Sequence, residues 1–520
     1  MEGHGGAPSR VRAAGINILF GYAGTVITAL LSFILRKIFI LHLDGTLLGV
    51  NGLYTGILSM LSMAELGVGT AFQFALYRPV AEKETETVKS YMAMYARVYR
   101  VVAAAIALLG LALTPFLPVL IRNPGSHSVR DLTLYYFIFL FNTVSTYFVS
   151  YKYALANAEQ RNYIQTNVVT LTKFVTVLLQ IAVLVLTENF YAFLLTDALV
   201  QLAQKIVVSV WMNHRYPLLR DRDVKPLDQT KRMEVWTKTR SLLMHRIGDA
   251  LRLQTDAMLI SAFIEVAAVG LVDNYLLVVN TIANFVNIIF NSVISGFGNL
   301  IATEEEEKQH AMFRVYRFFA AYAYGFSFVG FFVLLTPLIS LLFGAEWVLP
   351  ALAVQLFLLD YYFKGERVVL SNYKTAAGVF EPDRYLALLQ GLVNLVISVA
   401  LVRPLGLAGI YVGTLVSGLI ANVTKPVIIY RSCFDGLSLK QYYLDNVKYM
   451  AVTGAALVLS VFLRGLLMPG AMTGGRISVP FFVLTAAVIT VIFHVLFFLC
   501  FGRTKECGYL VELIRRRVRR

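Results

Sequence analysis

Between residues 240 and 264, a run rich in Leu, Ile, Met and Ala also carries His245, Arg246, Asp249, Arg252 and Asp256. A helix advances about 100° per residue, so His245, Asp249, Arg252 and Asp256 fall within about 60° of one another, with Arg246 on the flank. The spacings allow Asp249–Arg252 and Arg252–Asp256 ion pairs. The planar fork of an arginine donates two parallel hydrogen bonds to phosphate oxygens. Flanking carboxylates would hold that arginine until an anion arrives, which limits the cost of a lone charge at membrane depth.

Four more helical stripes carry polar chemistry through apolar sequence. Asn162, Thr166, Lys173, Thr176 and Gln180 align, as do Asp197, Gln201 and Gln204 with Lys205 beside them. Asn51, Thr55, Ser62, Glu65, Gly69 and Gln73 share a side, and Asp273, Asn280, Asn284, Asn287 and Asn291 occupy a narrow arc. A charge at the bilayer centre costs roughly 2.5–3.5 kcal/mol on insertion scales, so these faces should meet protein or water rather than lipid. Two readings stand for the amides: polar glue between helices, or the wall of a wet cavity. In the cavity reading, Lys173, Arg246 and Arg252 bind an anionic group. Asn280, Asn284, Asn287 and Asn291 then hydrogen-bond a sugar. Glu65, Asp197, Asp249, Asp256 and Asp273 are candidates for proton or sodium coupling, with salt bridging as the equal alternative for each. Lys205 stands close enough to one end of its span to snorkel.

No catalytic constellation accompanies these groups. No GxxxxGK[ST] loop occurs. The three cysteines, Cys433, Cys500 and Cys507, match no metal spacing and imply no disulfide framework. The sequence therefore predicts no metal, no cofactor and no enzyme.

The elements that must position these residues are membrane helices. The chain has 520 residues, 58% hydrophobic and only 15% charged, where a soluble chain is nearer a quarter charged. Hydropathy predicts about fourteen spans, near 14–36, 47–75, 97–121, 131–153, 163–187, 190–212, 240–264, 267–300, 313–337, 348–370, 384–403, 406–430, 447–467 and 478–501. The N-terminal span follows Arg10 and Arg12 and is too long for a cleaved signal peptide, so it acts as its own insertion signal. The net charge of +15 might invite nucleic acid, but its placement argues otherwise. With the N-terminus inside, about 35 Lys and Arg fall in cytoplasmic segments and about seven outside. Both termini are then cytoplasmic. The basic tail from Ile514 to Arg520 reads as a topology determinant, or as a contact for anionic lipid or a cytoplasmic partner.

The two halves look alike. Gly49-Val50-Asn51-Gly52-Leu53-Tyr54 opens the second span and Gly270-Leu271-Val272-Asp273-Asn274-Tyr275 the eighth; each later carries Gly-x-Gly, at Gly67–Gly69 and Gly296–Gly298. Both halves start inside, which makes a parallel repeat. The expectation is an all-α integral membrane protein: an N-terminal six-helix lobe (1–213), a basic cytoplasmic linker (214–239) and a second six-helix lobe (240–430). The lobes would surround a central cavity, with two further helices and a basic tail (431–520).

Three motifs carry a resemblance. Glu65-Leu66-Gly67-Val68-Gly69-Thr70-Ala71 followed by Leu76-Tyr77-Arg78-Pro79, Asp256 to Phe263 leading to Val269-Gly270 and Asn274-Tyr275, and Lys374-Thr375-Ala376-Ala377-Gly378 followed by Asn394, Ser398 and Gly406 to Ile410 resemble Wzx-type polysaccharide flippases. The resemblance covers nearly the whole chain. It implies the multidrug/oligosaccharidyl-lipid/polysaccharide exporter fold in a bacterial plasma membrane. It also implies translocation of undecaprenyl-pyrophosphate-linked oligosaccharide to the outer face by alternating access of two lobes. Membrane lipids, that glycolipid and polysaccharide biosynthesis proteins are the expected partners, and nucleic acid is not. Two rivals remain: a cation-coupled multidrug exporter of the same superfamily, and a membrane-embedded glycosyltransferase or polymerase. Outside loops too short to pair catalytic carboxylates argue against the second.

Overall fold

Short polar side chains punctuate the apolar runs. Asp44 Oδ1 accepts from Leu47 N at 2.8 Å, Ser128 Oγ from Asp131 N at 3.1 Å and Asn189 Oδ1 from Ala192 N at 3.1 Å. Each satisfies an amide that a helix start leaves without a partner. The computed structural model describes residues 10–221, 223–379, 381–383, 385–467 and 479–518. They form helices throughout, with no strand among the described residues.

In chain order the helices are α1 (Arg10–His42), α2 (Gly45–Ala81), α3 (Thr85–Leu113), α4 (Leu117–Leu120), α5 (Val129–Ala158), α6 (Asn162–Thr187), α7 (Phe190–Arg215), α8 (Gln229–Leu253) and α9 (Thr255–Phe263). They continue as α10 (Val266–Ser292), α11 (Ile294–Thr303), α12 (Glu306–Phe343), α13 (Ala351–Ala377), α14 (Leu386–Leu405), α15 (Leu407–Cys433), α16 (Leu439–Leu467), α17 (Val479–Phe501) and α18 (Lys505–Val518). Among the described residues, twelve stretches are long and apolar enough to cross a membrane, making this a multi-pass membrane chain. The other two expected spans correspond to α8–α9 and α13, whose charged residues keep them outside that apolar class.

The chain divides into two compact units, Met1–Gly270 and Leu271–Arg520. In the first, α2 packs against α3, α5, α8 and α9, while α6 packs against α1 and α7. Residues 229–239 of the basic connection already belong to α8. In the second, α12 packs against α13, α16 and α17, and α13 and α14 both pack against α15.

The repeat-matched glycines Gly49 and Gly270 lie against each other within the first unit. A Cβ on Gly270 would stand 3.0 Å from Gly49 N and 3.1 Å from Leu48 Cβ. A Cβ on Gly49 would overlap the Val266 carbonyl. Two backbones therefore meet where only hydrogen fits, for the reason small residues recur at membrane helix crossings.

Candidate functional site

The seventh expected span is broken. Where the sequence predicts one helix over 240–264, α8 ends at Leu253 and α9 begins at Thr255, with Gln254 between them at φ −114° and ψ −9°. Arg252 and Asp256 flank this break and both are half-buried. The charged face predicted from spacing thus coincides with an interruption that neither Pro nor Gly explains. The interruption is one residue long, and Gln254 N still donates to Ala250 O at 3.0 Å, so the span bends here rather than unwinding; interruptions of membrane helices recur at substrate and ion sites. The expected partners Arg246 and Asp249 have side chains outside the described residues.

The pieces around the break are held firmly. Ser261 Oγ donates to Leu120 O at 2.6 Å and Arg122 Nη1 to Phe263 O at 2.6 Å. Val266 N donates to Arg122 O at 3.0 Å. A Cβ on Gly56 would touch Ala257 Cβ at 3.2 Å. So α9 is fixed to α4 at one end and leans on α2 along its length.

Farther along α2, Glu65 sits in a group of tyrosines. A Cβ on Gly69 would lie 2.8 Å from Tyr99 Oη, 3.0 Å from Glu65 Oε1 and 3.2 Å from Tyr95 Oη, which places these three oxygens together. Tyr95 donates to Tyr99 at 3.0 Å, and the Tyr147 ring stands edge-on to Tyr99 with centroids 5.6 Å apart. The Glu65 carboxylate therefore faces phenol hydroxyls from α3 and lies within electrostatic range of Tyr147 on α5. The sequence reading placed Glu65 on a polar stripe but not its aromatic surroundings; three tyrosines on one face of α3, Tyr91, Tyr95 and Tyr99, were the available signal.

Lys205 does not snorkel. It is buried, 6% exposed, and its Nζ donates to Asn142 O at 2.7 Å, Asn142 Oδ1 at 3.2 Å and Ser145 Oγ at 2.8 Å. Asp197 accepts from Asn142 Nδ2 at 3.0 Å and from Gln201 Nε2. One turn beyond Lys205, Lys152 Nζ donates to Ser209 Oγ at 2.7 Å and Asn213 Oδ1 at 2.9 Å. Residues 197, 201, 205, 209 and 213 recur every fourth position, so a single seam joins α7 to α5. Here the polar stripe acts as glue, and Asn142, Ser145 and Lys152 are the partners that the sequence reading missed. Lys173 on α6 is half-buried, within electrostatic range of Asp197 and Arg36.

In the second unit the asparagine stripe of α10 divides. Asn287 Oδ1 accepts from Tyr324 Oη at 2.9 Å, and Asn291 Oδ1 from Asn372 Nδ2 at 3.4 Å. Asn280 and Asn284, one turn apart, are exposed in the middle of the apolar run, and Asp273 is half-buried. Asn274 is fully buried with neither amide atom hydrogen-bonded.

A larger network in the same unit escaped the sequence reading. Glu366 Oε2 accepts from Asn422 Nδ2 at 2.6 Å, and Oε1 accepts from both Tyr442 Oη and Asn446 Nδ2. Arg367 donates to Asn422 Oδ1 at 3.1 Å and Asp360 Oδ1 at 2.7 Å. Arg317 donates to Asn446 Oδ1 at 2.5 Å and Tyr442 O at 2.9 Å, its guanidinium 3.5 Å from the Tyr442 ring centroid. Two cations and two carboxylates balance, and α12, α13, α15 and α16 are bound together through them. Arg317, Glu366 and Asn446 also line a small cavity whose other walls include Tyr324, Tyr362 and Tyr449. The signal for this network was the charge density of the tenth expected span, where Asp360, Lys364, Glu366 and Arg367 crowd eight positions. Among the described residues, no group of His, Cys, Asp and Glu could hold a metal ion.

No family model and no curated protein matches the sequence. Solved structures do match the fold. The lipid II flippase MurJ in an inward closed conformation is similar with a TM-score of 0.66 at 11% identity, covering 93% of this chain and 98% of that one. An inward-facing multidrug resistance MATE family transporter of the MOP superfamily is similar with a TM-score of 0.58 at 14% identity, covering 78% of this chain and 95% of that one. The Vibrio cholerae MATE transporter VcmN is similar with a TM-score of 0.56 at 14% identity, covering 81% and 97%. At such identities the likeness is one of fold: a many-helix membrane chain built like the flippases and transporters of that superfamily.

Proposed function

We propose that the chain is a flippase for undecaprenyl-pyrophosphate-linked oligosaccharide, carrying repeat units from the cytoplasmic to the outer face of a bacterial plasma membrane by alternating access. The observation that carries this reading is the broken seventh span with Arg252 and Asp256 at the break. The lipid pyrophosphate is the constant, densely charged part of such a substrate, and the planar fork of an arginine suits it. Asn280 and Asn284 support the glycan half of the reading. Two amides exposed at apolar depth are costly against lipid and useful against sugar hydroxyls. In this reading, residues 1–213 and 240–430 are the repeat-related lobes, residues 214–239 connect them on the cytoplasmic side, and both termini are cytoplasmic.

The second reading, a cation-coupled multidrug exporter, draws on the similarity to MATE transporters and on Glu65 among its tyrosines. One experiment separates the two. The protein is produced in cells lacking their own oligosaccharide flippase, and surface polysaccharide is measured beside efflux of cationic dyes. Restored polysaccharide without efflux supports the flippase; efflux without polysaccharide overturns it in favour of the exporter.

A further inference from the structure

The helix α18 starts just past the last apolar span among the described residues. The last apolar span closes at Phe501, and only Gly502, Arg503 and Thr504 separate it from Lys505. Thr504 fixes the turn, its Oγ1 donating to Phe501 O at 2.7 Å and accepting from Cys507 N at 3.4 Å. One side of α18 rests on α12: Glu506 and Cys507 are buried, and Arg314 Nη2 bonds Glu506 Oε1 at 2.7 Å.

Tyr509 and Leu513, one turn apart on a flank, are 43% and 45% exposed. On the helical wheel Lys505 lies within about 40° of Tyr509, and the sequence continues Arg515-Arg516-Arg517. An exposed apolar pair with Lys505 and Glu512 on one flank, followed by a basic run and set just past an apolar span, has the make-up of an interfacial helix.

We propose that α18 lies in the membrane–water boundary and binds anionic lipid headgroups. Tyr509 and Leu513 enter the acyl edge, and Lys505 together with the basic sequence from Arg515 onward supplies the positive charge that draws the headgroups. Charge complementarity selects the occupant. A cluster of cations beside a membrane attracts anionic lipid, whereas a zwitterionic surface offers no net charge.

The test uses the full-length chain with Cys433→Ser, Cys500→Ser and Cys507→Ala, carrying a nitroxide at Leu513→Cys or, as a control on another face, Gly508→Cys. It is reconstituted in phosphatidylcholine vesicles with and without phosphatidylglycerol. With phosphatidylglycerol, the 513 label should be reached by oxygen and shielded from a water-soluble nickel chelate, and the 508 label should show the reverse. Arg515→Gln, Arg516→Gln and Arg517→Gln together should abolish the dependence on phosphatidylglycerol, with each charge worth about fivefold in lipid affinity. A 513 label open to the chelate in both lipids overturns the proposal, since the helix is then solvated. So does a label shielded from both reagents, which would mean a protein cover. Equal insertion in both lipids overturns the recognition of anionic headgroups. Normal elution of each labelled protein in size-exclusion chromatography separates these outcomes from misfolding.

Discussion

Lys205 and Arg252 are both cations at apolar depth, and their surroundings assign them different work. Three acceptors on α5 saturate the Lys205 ammonium, so its role is to hold α7 in place. Lys205→Met leaves Asn142 and Ser145 without their donor, at a cost of about 1–3 kcal/mol. The expected outcome is a lower midpoint of thermal unfolding in detergent, with transport per folded molecule unchanged. Arg252 stands instead at a helix break. Arg252→Ala should abolish transport while membrane level stays near normal, and Arg252→Lys should leave it weakened because the bidentate fork is lost. Surface polysaccharide measured beside protein level decides: loss of the protein itself would make Arg252 a structural ion-pair partner. For Glu65, Glu65→Gln keeps shape and removes charge; transport unchanged at every pH would exclude a coupling role and leave the carboxylate as a bond acceptor for tyrosines.

At the scale of helices, hydropathy period and caps were readable because they are local. The spans, the stripes on α2, α7 and α10, and the matched glycines all follow from spacing alone. The pairing of Asp197 and Lys205 with Asn142 was not readable, because which helix lies opposite a stripe is a tertiary fact. The break at Gln254 was hidden for a related reason: no Gly or Pro marks it, and packing of α9 against α4 and α2 supplies what local sequence lacks. Gly49 and Gly270 match in sequence and also touch in space, a contact that the match alone does not predict. Gly49→Ala would drive a methyl group into the Val266 carbonyl, whereas nothing lies within 4 Å of a Cβ on Gly298. Gly49→Ala is therefore expected to deplete the protein from membranes and Gly298→Ala to leave its level within about 0.5 kcal/mol of normal stability. Quantitative immunoblotting of membranes checks both, and equal levels would show that the α2–α10 crossing relaxes freely.

For the whole molecule, the direction of transport rests on which face is cytoplasmic, and charge placement is the physical handle on that. Lys and Arg near span ends resist translocation, so the face that carries them stays inside. The stretch from His214 to Thr239 is rich in both, and so is the chain after Phe501. The turn before α5 carries far fewer, and this predicts that it faces outward. The structure refines where to probe it. Ser128 caps α5 through Asp131 N, and losing an N-cap costs about 1 kcal/mol, so a cysteine there would perturb what it reports on. Ser126 is exposed two residues earlier, and Thr230 is exposed at the start of α8. In a background freed of Cys433, Cys500 and Cys507, Ser126→Cys should react with a membrane-impermeant maleimide in intact cells. Thr230→Cys should react only once the cells are opened. The reverse pattern would invert the topology, placing the basic connection and the start of α8 outside. A flippase working from the cytoplasmic face would then have to be abandoned, whatever the chemistry at Arg252.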